Sequence, residues 1–294
     1  MTDAWLRLLC LMALTASFVG CVKEDMDDCA NRYTLTVQVS AAEPNEAAPN
    51  PTDVGDVTLF IFDGEYGYLH AIETRVGETE EIDALAGENL HIVAWGNLRQ
   101  GAQSYTDPQP GDLLDDCFVD LKPDTRATLP MLSPDDLFLG HLTLRADDPA
   151  REKVIPIYRQ VGSMSVTVHK LREVAGYDDN DYHIVVRQTP SRIAFADGAY
   201  SGAAASCRPE GSFTLVGGKQ VYKVPTFNLI PASGLEIDIF HGSQLVATVS
   251  QDGGGNDIDV LKGKTTQVNI TLGAELGVTV SVDDWDDNTG EKEF

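Results

Sequence analysis

The sequence predicts an all-β protein built as two antiparallel β-sandwiches in tandem. Apolar and polar residues alternate with period two in one short segment after another. Gly, Pro and Asp punctuate those segments, and almost nothing between them shows the 3.6-residue period of a helix. A polar, proline-containing break at Asp147-Asp148-Pro149-Ala150 is followed by a fresh β pattern. It divides an N-terminal sandwich at 31–150 from a C-terminal one at 151–294.

In chain order, Tyr33 to Val39 alternates as a half-buried strand should. Ala41 to Asp53 carries Pro44, Pro49 and Pro51 and reads as a loop. Val57-Thr58-Leu59-Phe60-Ile61-Phe62 is a nearly continuous apolar run, which suggests a central strand. Asp63-Gly64 then opens a hairpin into Tyr68-Leu69-His70-Ala71. Leu90 to Trp95 is a strand closed by Gly96-Asn97, and Leu137 to Leu144 holds another. Beyond the break the alternation sharpens: Met164, Val166 and Val168; Tyr182, Ile184 and Val186; Leu235, Ile237 and Ile239; Val268, Ile270 and Leu272; Val278, Val280 and Val282. Short strands so spaced indicate sandwiches with one wet face per sheet. No residue-level repeat relates the two halves.

The start of the chain has a different character. Leu8 to Val19 is an apolar run of about a dozen residues, the length of a secretory h-region and short of the about 20 that a spanning helix needs. Gly20-Cys21 follows as in a bacterial lipobox, so residues 1–20 read as a lipoprotein signal peptide and Cys21 as the lipidated N-terminus. Residues 21–30, with Lys23-Glu24-Asp25 and Asp27-Asp28, form an acidic tether like the surface-export tag of some Gram-negative lipoproteins. The plainer alternative is an ordinary cleaved signal with Cys21 an incidental thiol. Three acyl chains exceed the two signals that stable anchoring requires.

Composition sets further bounds. With 43% hydrophobic residues the chain can fill real cores, and its net charge of −25 repels phosphate backbones, so nucleic acid is not an expected partner. Cys29, Cys117 and Cys207 remain once Cys10 and Cys21 are set aside. A Cys29–Cys117 disulfide is expected, since both lie in the first half and the bridge would fix the tether; three unpaired thiols are the alternative.

Catalytic and cofactor signals are thin, so the reading is not an enzyme, with no cofactor and no metal. The six histidines are scattered and no G-x-S-x-G elbow exists. Gly263-Lys264-Thr265 fails as a P-loop, because position 258 is Ile and a strand follows. Asp252 to Asp259 offers oxygens on a glycine-rich loop but lacks EF-hand order, so it reads as a solvated hairpin loop.

The order of several pieces carries a resemblance. Cys21 to Cys29, Leu59-Phe60-Ile61-Phe62-Asp63, His91 to Asn97, Asp136 to Gly140, Gln160 to Val168 and Val280 to Trp285 together look like the FimB/Mfa-type fimbrial anchor subunits. The resemblance covers nearly the whole chain. It implies two transthyretin-like domains, an outer-membrane lipoprotein exposed at the cell surface, and fimbrial or pilin subunits as partners. Only nine residues follow Trp285, so no long donor extension is expected and a place at the fimbrial base is favoured. The strands at Thr266–Leu272 and Val278–Val282 are the expected pilin-docking elements, acting through main-chain pairing at an open sheet edge. The rival reading is a surface glycan-binding lipoprotein of a polysaccharide-uptake system, with Trp95 and Trp285 as exposed stacking platforms; the expected reading of the pair is that they plug the sandwich at strand ends.

Overall fold

The computed structural model describes residues 31–41, 48–84, 87–125 and 130–285. Cys21, Cys29 and the acidic tether lie outside the described residues. Among the described residues nearly all regular structure is β-strand, in four sheets. Seven strands form the first sheet: β1 (Asn31–Val39), β2 (Val57–Phe62), β3 (Tyr68–Thr74), β4 (Thr79–Ala84), β5 (Leu90–Gly96), β8 (Phe138–Leu144) and β9 (Glu152–Arg159). Their order is β3-β2-β5-β8-β9-β1-β4.

β9 folds this sheet over on itself. It runs parallel to β1 from Glu152 to Ile157, then meets β8 only through Phe138–Arg159 and Leu139–Tyr158. Tyr33, Leu35 and Val37 of β1 thereby share a buried core with Leu59, Ile61, Ile92 and Phe138. Where β8 crosses β9, a Cβ on Gly140 would fall 2.1 Å from the Pro156 carbonyl oxygen, so the crossing requires glycine.

The other face of β2, β5 and β8 is also covered. Phe60, Phe62, Val93 and Trp95 lie under a small sheet of β6 (Gln103–Tyr105), β7 (Phe118–Leu121), β12 (Arg192–Ala194) and β13 (Tyr200–Ser201). Phe195 packs on both Phe60 and Trp95, with ring centroids 5.0 and 5.3 Å away. Burial on both faces explains why Val57–Phe62 is apolar without alternation: all six residues are buried. The small sheet mixes distant parts of the chain. β12 pairs with β7 through Ile193–Val119, and Arg192 Nε donates to Asp120 at 2.7 Å.

The break at Asp147–Ala150 is the turn between β8 and β9, both strands of the first sheet. Passage to the second half comes at Gln160-Val161. There β10 (Gly162–His169) starts so close to residues 260–261 that a Cβ on Gly162 would lie 2.3 Å from the Leu261 carbonyl oxygen.

The second half stacks two sheets over one core that includes Val166, Ile184, Val224, Ile237 and Ile270. One holds β15 (Ser212–Val216), β16 (Lys219–Leu229), β10, β19 (Lys264–Thr271) and β20 (Gly277–Asp284), in that order. The other holds β14 (Ala205–Cys207), β11 (Tyr182–Thr189), β17 (Glu236–His241) and β18 (Gln244–Val249). Among the described residues α1 (Leu171–Ala175) is the one α-helix.

The halves repeat each other in connectivity, though not in residues. β3-β2-β5-β8 corresponds to β14-β11-β17-β18, and β4-β1-β9 to β16-β10-β19. In each half the first strand pairs in parallel with a late one, β1 with β9 and β10 with β19. Among the described residues β15 and β20 have no counterpart in the first half.

Candidate docking edge

β19 does not lie at an edge. It pairs along its whole length with β10 on one side and β20 on the other, which corrects the expectation of docking at Thr266–Leu272. Alternation reports which faces a strand covers and is blind to what lies beside it. β20 is the outermost strand of its sheet. Val278 is buried, Val280 leans on the second core, and Val282 is 46% exposed.

Main-chain groups on β20 follow the antiparallel rule that residues turn both groups toward the partner or away in alternation. The Val278 carbonyl accepts from the Gly253 N–H at 2.8 Å, so Val278, Val280, Val282 and Asp284 turn theirs outward. From Val280 onward, no main-chain bond among the described residues takes these groups up. Charge marks the end of this edge: Lys264 Nζ reaches Asp284 Oδ1 at 2.8 Å, and Gln267 donates to Asp283 at 2.8 Å.

Trp285 then crosses to the first half. The Arg159 guanidinium lies 4.0 Å from the Trp285 ring centroid and 5.1 Å from that of Phe138, between the two rings. It also binds Asp136 in bidentate fashion, Nε and Nη2 each at 2.7 Å, and reaches Asp53 at 3.5 Å. Asn97 ties the same region together, donating to the Asp53 and Asp136 carbonyls at 2.8 Å and accepting from Gly55. The Trp95-Gly96-Asn97 and Asp136-to-Gly140 stretches that carried the resemblance are thus one structural hub. Nearby, burial raises the Asp56 carboxyl above its usual range, and its Oδ2 has no hydrogen-bond partner.

The tryptophans do not form an exposed pair. Trp95 is fully buried, and Trp285 is half-buried against Arg159, so the stacking platform proposed for glycans is absent at these positions. Cys117 is buried, its thiol donates to the Leu113 carbonyl at 3.5 Å, and burial foremost, then Asp112 and Asp116, pushes it up to about 11. Cys207 is buried in the second core. The histidines stay apart: His141 bonds the Phe195 carbonyl, His241 the Asp179 carboxylate, and burial lowers His91 and His183. No cluster of three His, Cys, Asp or Glu able to hold a metal occurs among the described residues. Asp252 spends its carboxylate inside its own loop, on the Gly254 and Asn256 N–H groups and the Asn256 amide.

The family model described as fimbrillin-A associated anchor proteins Mfa1 and Mfa2 matches residues 26–289. The chain belongs to this family. Among relatives of the anchor-family chain is the major fimbrium anchoring subunit FimB of Porphyromonas gingivalis, 25% identical over 94% of this chain and 93% of the relative. The solved fimbrial anchor protein Mfa2 from Porphyromonas gingivalis superposes with a TM-score of 0.63 at 15% identity, covering 87% of this chain and 98% of that one. A putative polysaccharide binding protein of Bacteroides thetaiotaomicron superposes with a TM-score of 0.64 at 16% identity, covering 90% and 99%. At such identities the two structures speak for the fold alone.

Proposed function

We propose that this chain anchors a fimbria at the outer membrane, fixed to lipid through Cys21 and holding a pilin by β-strand pairing along the outer edge of β20. The observation that supports it is the run of outward main-chain groups from Val280 to Asp284 in a member of a fimbrial anchor family. An unpaired edge is a template for another strand, and main-chain bonds give affinity while alternate side chains select the partner. The repeated connectivity supports two transthyretin-like domains, and the role is structural rather than catalytic. A Cys29–Cys117 bridge, with Cys29 at the tether, and a place at the base of the fimbria belong to the same proposal.

Val282→Pro tests the edge. Proline removes the outward N–H of residue 282 and leaves the ladder to β19 its bonds, because even-numbered residues turn away from it. Cells carrying V282P should shed fimbriae into the medium while the protein keeps its normal melting temperature. Fimbriae that stay attached would refute docking at this edge. Intact-mass measurement of the mature N-terminus tests lipidation, and an unmodified Cys21 would refute that part.

A further inference from the structure

The two ends of the molecule differ in chemistry. β1 starts beside Ala84, Ala146 and Arg151, at the end of the first half where β9 also starts, and both strands run toward the handover to β10. Asn31, the residue to which 21–30 connect, therefore lies at the end of the first half away from the second. In the second half β10 runs outward from that handover, and α1, the 176–181 loop and the turns after β15, β17 and β19 gather at its far end.

That far end carries six exposed apolar side chains: Val174, Tyr177, Leu215, Val216, Leu245 and Leu276. Leu215 is the most exposed, at 72%. The loops bearing most of them are braced against one another. Arg172 bonds Gln220 of the β15–β16 hairpin, the Asp179 carbonyl and Asn180, and stacks on Phe213. The Tyr177 ring lies flat on His241, centroids 3.9 Å apart, and its hydroxyl donates to Gln244 at 3.2 Å. Leu276 immediately precedes β20, and the Leu272 N–H ties that turn to His169. Exposed apolar side chains at one end, on loops tied to one another, suit a protein contact.

We propose that this far end of the second half is a docking surface for the fimbrillin subunit next to the anchor. Asn31 lies at the opposite end of the molecule, so a lipid on Cys21 would leave the far end directed away from the bilayer. The net charge of −25 disfavours anionic lipid and nucleic acid, so the occupant is a protein with an apolar patch of its own. The inference rests on the anchor reading but not on pairing along β20.

The test uses the full mature chain and fimbriae sheared from the cell surface, with affinity read by surface plasmon resonance. Leu215→Ser with Leu245→Ser removes apolar contact without changing charge, at positions 72% and 51% exposed, and a thermal melt of the variant checks that it folds. Binding should weaken by about tenfold or more. Leu69→Ser with Val154→Ser, exposed apolar positions on the first half at 42% and 48%, should leave it unchanged. Full affinity in the first variant, or equal loss in both, overturns the proposal. So does sedimentation showing that the first variant abolishes self-association while fimbria binding stays intact. If V282P loses binding and the first variant keeps it, the far end is excluded and the anchor reading stands. An unmodified chain that binds no fimbriae overturns both.

Discussion

Replacing Arg159 with methionine isolates the charge at the hub between the halves. The Arg159 side chain is 6% exposed, while its partners Asp136 and Asp53 are 21% and 27% exposed. Methionine preserves much of the packing between Phe138 and Trp285 but strips both carboxylates of their shared cation. Removing one partner of a buried ion pair costs about 3–5 kcal/mol. Partial access of water to the aspartates lowers that to about 2–3 kcal/mol, into which the lost contact with Trp285 is folded. For a chain of this size the melting temperature should then fall by about 3–5 °C. The assay is thermal unfolding of signal-free chain carrying Cys21→Ala, followed by circular dichroism. R159M combined with Asp136→Asn should recover at least half of the loss, because it removes the carboxylate charge left behind. A drop under about 2 °C, or no recovery in the double variant, would refute the assignment of the hub to charge pairing.

Two other changes probe the frame around that hub. Gly140→Ala forces a methyl group against the Pro156 carbonyl and should cost about 2–4 kcal/mol in urea unfolding, with a normal melt sinking the close-crossing account. Asp56→Asn should stabilise the protein by under about 1 kcal/mol at pH 7. Burial raises the folded-state pKa of Asp56, so the penalty is fully present at neutral pH and fades as pH falls through the folded value; a gain that persists at pH 3 would contradict this cause.

Periodicity was a good guide to what faces a core and a poor one to lateral neighbours. The unbroken Val57–Phe62 run pointed to a central strand, and the structure adds that two separate cores claim its alternate side chains. β19 and β20 alternate alike, yet one is interior and one is an edge, because hydrogen-bond neighbours leave no mark on period two. Asp147–Ala150 had the composition of a linker, which is also that of a turn between strands of one sheet. Trp95 closes a strand and was expected to plug the sandwich, and the structure adds what covers it, Phe195 from a hundred residues downstream. The Arg159–Asp136–Trp285 hub joins residues from three distant stretches, and no spacing rule could have assembled it.

The strand β12 has a mechanical meaning. It leaves the second half to lie beside β7, so the small sheet is shared by both halves. If the chain anchors a fimbria to the membrane as proposed, drag on that fimbria crosses this joint. A flexible linker would let the halves swing and separate under tension. A laced joint must instead peel β12 from β7, break the Arg192–Asp120 pair and drag Phe195 off Phe60 and Trp95 before the halves part. Resistance to pulling is set by the rate of such rupture rather than by equilibrium stability. In the proposed anchor role, such a joint would act as a stiff coupling, in which force is shared across the halves before either one yields.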